Sequence, residues 1–313
     1  MKKSLFVLGV AVAALASCTQ NEVLDIAESN AIKFDNAFVG NTTKATVEQI
    51  NTEGIEHFYV MGTKGGSSFF NNEKVYKQND LWGYDNLKKW EAGTYAFAAY
   101  SNGGTTTQDG KIASGVTFNS TDGLQISYTV DNNDKRDLIM AYSTTNIDAA
   151  NAPIEFTFKH ALAMIKFTLK SNLGTNVISI SDFVVKSINN QGTATIKNDG
   201  VVAWTNQTGT ENFRSVDFTT TQATAGESDE LVVVPQSGTS LSVEFTAKVT
   251  VAGQEEITKN LKATIATYEW QPGYRYNYTA TITGTDMEVI EFSAPTVTEW
   301  GGYTDIDAGD LTI

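Results

Sequence analysis

Cys18 is the only cysteine of the 313-residue chain, and its neighbours give it a chemistry. It follows Leu15-Ala16-Ser17, the residue types a lipoprotein signal peptidase reads, after the cationic Met1-Lys2-Lys3 and an apolar run from Ser4 onward. As a helix, Ser4 to Ser17 rises only about 21 Å, short of the roughly 30 Å hydrocarbon core, so it reads as an export signal and not as a membrane span. The expected chemistry is acylation of the Cys18 thiol. Each buried methylene of a lipid chain adds about 0.8 kcal/mol, and several chains together hold a protein on a membrane. A lone cysteine allows no disulfide within the chain, so the core alone must stabilise the fold.

The remaining chemistry-bearing residues form no catalytic constellation. There are two histidines, His57 and His160, which fall in different halves of the chain. With the one thiol committed to lipid, neither a zinc site nor a Cys-His pair is available. His160, among Phe158, Ala161 and Leu162, reads as a packed histidine with a backbone partner. The run Asp131-Asn132-Asn133-Asp134-Lys135-Arg136-Asp137 starts like a calcium loop but has lysine at its fifth position and lacks the glycine and distal glutamate; Asp305 to Asp310 fails similarly. No phosphate-cradling glycine pattern occurs. No enzyme activity, metal or cofactor is expected. A sugar platform is the rival idea, resting on Trp82 and Tyr84, which stand among polar neighbours near Trp90. The formal charge is −14, unchanged without residues 1–44 because that segment holds four lysines and four acids. An acidic protein of this kind is a poor partner for nucleic acid or anionic lipid.

The elements that would position these residues are strands. Threonine, valine, isoleucine, tyrosine and phenylalanine recur, proline numbers four, and 25 glycines punctuate the chain. Alternation marks strands at Ile32–Val39, Ile55–Met61, Tyr95–Tyr100, Leu124–Val130, Asp137–Tyr142, Ile154–Phe158, His160–Lys170, Val177–Ile188, Thr193–Lys197, Leu231–Val234, Leu241–Val251, Leu261–Ile265 and Tyr274–Ile282. Asn198-Asp199-Gly200 is a hairpin turn, its residues tolerating positive φ. No helical period persists for ten residues. The polar stretch Ser143–Pro153 suggests a boundary. The expected organisation is a signal peptide (1–17), a tether with an N-terminal strand (18–44), and two tandem β-sandwiches, 45–153 and 154–313.

Three stretches resemble the fimbrillin family, lipoprotein-derived pilins of Gram-negative anaerobes. They are Trp90-Glu91-Ala92-Gly93-Thr94-Tyr95-Ala96-Phe97-Ala98-Ala99-Tyr100, the run from Phe156 through His160-Ala161-Leu162 to Leu169, and Trp270-Gln271-Pro272-Gly273-Tyr274-Arg275-Tyr276-Asn277-Tyr278. Leu231-Val232-Val233-Val234-Pro235-Gln236 and the Cys18 context extend the resemblance over nearly the whole chain. It implies two transthyretin-like sandwiches, passage to the outer membrane as a lipoprotein, and removal of the N-terminal segment by a trypsin-like surface protease. A neighbouring subunit's C-terminal strand then fills the opened groove. The implied partners are other pilin subunits, the outer membrane through lipid, and a host or bacterial glycan or protein, at the cell surface in a fimbrium.

Carried onto this sequence, the processing point is Lys44 before Ala45, in the run Gly40 to Lys44. Lysine departs from the arginine more often described for the family, which leaves an uncut anchor subunit as an alternative to a stalk subunit. A sandwich lacking one strand exposes backbone groups and apolar pockets, a template for an incoming strand. Past Ile282 the chain offers further strand material, with Val289, Ile290, Phe292, Val297, Trp300, Leu311 and Ile313 as the candidate donor residues.

Overall fold

The alternation of apolar and polar side chains becomes an alternation of buried and exposed ones. In the strand Ile154–His160, Ile154, Phe156, Phe158 and His160 are buried while Glu155, Thr157 and Lys159 are exposed. The structure, a computed structural model, describes residues 30–39, 55–78, 81–103, 109–132, 136–143, 152–284 and 290–300. The described residues contain no helix, and the protein is all-β. Cys18, Lys44, Ala45, Val289, Leu311 and Ile313 lie outside them.

The first strands are β1 (Phe34–Val39), β2 (His57–Lys64), β3 (Ser67–Gln78), β4 (Leu81–Gly83), β5 (Tyr95–Ser101), β6 (Val116–Asn119), β7 (Gly123–Thr129), β8 (Ile139–Ser143) and β9 (Ile154–His160). Seven of them make one sheet in the order β1-β9-β8-β5-β2-β3-β4. Because successive side chains take opposite faces, this sheet buries Phe58, Val60, Phe97, Ala99, Phe156 and Phe158 on one side. On the other it buries Tyr59, Met61, Ala98, Tyr100 and Met140.

The second face packs against a four-stranded sheet of mixed origin. Here β12 (Gln191–Ile196) and β13 (Val202–Thr208) follow β10 (Ala163–Ser171) and β11 (Ile178–Ile188) in the chain. The order is β13-β12-β7-β6, so a strand from each side of the expected boundary shares a ladder, Ala194 opposite Ile126. Gly123 makes the approach possible: its φ is +81° and an added Cβ would fall 2.2 Å from the Ile196 carbonyl oxygen. The Asn198-Asp199-Gly200 turn joins β12 to β13 as expected, with Gly200 at φ +71°. The boundary expected at 153/154 does not separate the sheets. β9 belongs to the seven-stranded sheet, pairing with β8 and β1, and its Phe156 and Phe158 complete the aromatic face of that sheet.

The rest of the chain adds β14 (Glu211–Arg214), β15 (Phe218–Thr220), β16 (Gly226–Glu227), β17 (Leu231–Val233), β18 (Ser237–Gly238), β19 (Leu241–Val249), β20 (Ile257–Ile265), β21 (Tyr268–Glu269), β22 (Tyr274–Ile282) and β23 (Thr296–Glu299). A sheet β16-β10-β22-β23, with β17 also on β10, faces a sheet β14-β11-β19-β20, with β15 also on β11. Between them Phe183 lies 5.1 Å from Phe167 and 5.4 Å from Phe245, ring centroid to ring centroid. This is a sandwich core of interdigitated inner faces.

Candidate assembly site

Phe34 sets the character of the N-terminal strand. Its ring contacts those of Phe58, Phe70, Tyr84, Phe97 and Phe156 at centroid distances of 6.4, 5.6, 5.5, 6.3 and 6.0 Å, four at steep angles and Phe156 stacked. Such pairs add about 0.5–1.5 kcal/mol each beyond the burial of apolar area. Ile32, two residues back on the same face, is fully buried, while Lys33 and Asp35 are exposed. From Ile32 to Asp35 the expected alternation is therefore present, and it is read by a pocket of five rings.

The backbone of the segment is held from two sides. β1 runs parallel to β9, with Phe34 opposite Ile154, and the Ile154 amide donates to the Lys33 carbonyl at 2.8 Å. Upstream, the Ile32 amide donates to the Lys88 carbonyl at 2.7 Å and the Trp90 amide to the Asn30 carbonyl at 3.0 Å. The Tyr84 hydroxyl donates to the Ile32 carbonyl at 2.9 Å and accepts from the Lys88 amide at 3.1 Å. Burial pushes that hydroxyl up to about 12, against the opposing pull of the Lys88 amide. A register shift between Asp35 and Phe38 interrupts the ladder, and a parallel ladder is slightly weaker per residue than an antiparallel one.

β1 also lies against β4, the other margin of its own sheet. Between them is a cavity of about 320 Å3 bordered by Ile32, Phe34, Leu81, Trp82, Leu87 and Pro153. Leu81 and Leu87 are 74% and 53% exposed, so the seam presents apolar surface to solvent. The rings on which the rival idea of a sugar platform rests are buried or half-buried. Tyr84 is 6% exposed and its hydroxyl is engaged with the N-terminal segment, and Trp82 is packed 5.0 Å from Phe58. Both aromatics border the seat of the N-terminal strand.

The described donor candidates are built into this chain's own second sandwich. Ile290 is buried; Phe292 bridges to Ala280 and meets Phe167 at 5.4 Å. Val297 on β23 pairs with Tyr276 on β22. Trp300 is 1% exposed, and its amide donates to the Gly273 carbonyl at 2.6 Å. The strand material up to Trp300 is thus not surplus, because the sheet β16-β10-β22 takes it as its margin.

The histidines differ from expectation in two respects: they share a sheet, and the partner of His160 is a side-chain carboxylate and not a backbone group. His57 and His160 belong to one sheet, since His160 ends β9 opposite Ile139 of β8. His160 Nδ1 is 2.8 Å from Asp137 Oδ2, and the Trp300 indole stacks on the imidazole. Asp137 is fully buried, unlike a solvated turn acid; its signal in the sequence is only its place directly before the apolar Leu138-Ile139. His57 Nε2 accepts the Gly110 amide at 3.2 Å. Among the described residues no group of three or more His, Cys, Asp or Glu is placed to hold a metal ion.

A model of fimbrillin-like proteins matches residues 43–300. The chain belongs to the fimbrillin-like family. Its fold is similar to that of a fimbrial protein from Bacteroides vulgatus, at 16% identity and a TM-score of 0.62 over 87% of this chain and 99% of that one. A Bacteroides ovatus protein with a suggested role in cell adhesion gives 14% identity and a TM-score of 0.54 over 87% and 98%. The fimbrial anchor protein Mfa2 of Porphyromonas gingivalis is more distant, at 13% identity and 0.38 over 79% and 90%. No curated protein matches the sequence. This fimbrillin-like chain thus shares its fold with fimbrial and adhesion proteins.

Proposed function

We propose that this fimbrillin-like protein is a pilus subunit that supports cell adhesion from the bacterial surface. In this reading it is exported to the outer membrane as a lipoprotein acylated at Cys18, cut between Lys44 and Ala45, and polymerised with other subunits by strand exchange. The observation that carries the reading is the seat of β1: a marginal strand on a parallel ladder, keyed by Ile32 and Phe34 into a pocket of rings. Loss of that strand would uncover apolar side chains each contributing about 1.5–3 kcal/mol on reburial, together with unpaired ladder groups. A donated segment that leaves the donor folded begins beyond Trp300, and Leu311-Thr312-Ile313 repeats the apolar-polar-apolar order of Ile32-Lys33-Phe34.

The test is assembly of protein that starts at Ala45. Ladders resistant to sodium dodecyl sulfate should form, and protein also lacking Gly302 to Ile313 should cap filaments without extending them. Normal growth by the shortened protein removes the C-terminal segment as donor. Sequencing protein sheared from cells separates the two roles: an N-terminus at Ala45 marks a polymerised subunit, and a blocked Cys18 marks an uncut anchor.

A further inference from the structure

The outer face of the sheet β16-β10-β22-β23 carries a pocket remote in character from the aromatic seat of β1. On β22, Tyr276, Tyr278, Ala280 and Ile282 belong to the core, and on β10 their ladder partners Ile165, Phe167 and Leu169 do as well. Strand alternation therefore turns Lys166 and Thr168 of β10, and Arg275 and Asn277 of β22, to the opposite face. β23 extends the same rows, with Thr298 opposite Arg275 and Thr296 opposite Asn277. The result is a cavity of about 200 Å3 whose polar wall is Lys166, Glu230, Arg275, Asn277, Thr296 and Thr298, with Met164, Ile165 and Tyr276 also lining it.

Two features mark it as a place for a ligand. Arg275 is only 8% exposed; its Nη2 is 3.4 Å from Glu230, and its Nε has no hydrogen-bond partner. A buried guanidinium N–H without an acceptor is costly, and an oxygen delivered into the cavity removes the cost. The second feature is charge balance. Arg275 is matched by Glu230, and Lys166 by Glu227 at 3.0 Å, so neither cation is left to attract an anion. What remains is a mixed set of uncharged groups. Thr168 Oγ1 donates to Asn277 Oδ1 at 2.9 Å, which leaves the Asn277 amide NH2 to donate, while the Thr296 and Thr298 hydroxyls can donate or accept. Donors and acceptors interleaved on a charge-neutral wall match a ligand dense in hydroxyl groups, and the volume is below that of a drug-sized site.

We infer that this pocket binds a neutral polyhydroxylated ligand about the size of one sugar residue. The experiment is saturation-transfer NMR on the full chain with the methyl glycosides of galactose, glucose and N-acetylglucosamine, and with glucuronate as the acidic control. Asn277→Ala and Thr298→Val are compared with wild type, circular dichroism reporting that each is folded. Trp82→Ala serves as a control at the β1 seam. At least one neutral glycoside should bind, weakened about tenfold by each pocket variant and unchanged in Trp82→Ala. Binding of no neutral sugar, binding of glucuronate alone, or affinity unchanged in both pocket variants overturns the proposal.

Discussion

The Trp300 indole lies flat on the His160 imidazole, ring centroids 4.9 Å apart and planes 7° from parallel. His160 is itself held by Asp137, so this stack ties the margin of the second sandwich to the first sheet. Deleting a buried tryptophan removes both its transfer free energy and its packing. Trp300→Ala should lower the unfolding free energy by about 3–5 kcal/mol. Denaturant titration checks this, and a loss below about 1 kcal/mol would mean that the stack contributes little.

Phe34→Ala tests the aromatic seat. The expected cost is about 3–5 kcal/mol, whereas Lys33→Ala, on the exposed side of the same segment, should stay within about 0.5 kcal/mol. Amide hydrogen exchange should show the change concentrated in β1, β9 and residues 88–90. Equal effects of the two substitutions would contradict the side-chain alternation that defines the seat.

Alkali should loosen the N-terminal segment before it charges the buried tyrosines. The folded values of Tyr84, Tyr100 and Tyr276 are raised to about 12, chiefly by burial, above the ordinary value near 10. For a raised value the stabilisation is complete below about pH 10 and is lost as pH climbs toward about 12, because the unfolded chain releases its protons first. Tyrosinate absorbance should therefore show a late phase coupled to unfolding. Tyr84→Phe should reduce that phase while costing about 1 kcal/mol at neutral pH for the bonds to Ile32 and Lys88. An alkaline titration identical to wild type would deny Tyr84 this role.

Metabolic labelling with a fatty-acid analogue tests the lipid. Incorporation should be abolished in Cys18→Ala, and equal labelling of the variant would remove acylation from the reading.

Much of the architecture was legible because period-two alternation is a direct image of a half-buried strand. β9 and β22 follow it closely, and the hairpin at Gly200 declared itself through residues that accept positive φ. β3 did not show. Its Asn71-Asn72-Glu73-Lys74 run is polar, and Asn72 at φ +52° sits where the ladder to β2 shifts register, so the alternation of Phe70 and Val75 is out of phase. The ladder between β7 and β12 was equally hidden, since pairing across 60 or more residues leaves no local trace. At the candidate sites, Phe34 and Ile32 were visible as an alternating pair. The partnership of Asp137, His160 and Trp300 was not, because the lead-in to β8, the end of β9 and the turn after β23 meet only once the sheets have closed.

The two margins of the seven-stranded sheet, β1 and β4, lie against each other. A sheet whose ends meet offers no long open side for a neighbour to zip onto, and this sheet is in that sense self-sheathed. It should stay monodisperse at concentrations where a strand-deficient version would seed aggregates. If subunits join as proposed, the clock for joining them would be kept by whatever severs the first strand, and not by how crowded the molecules are.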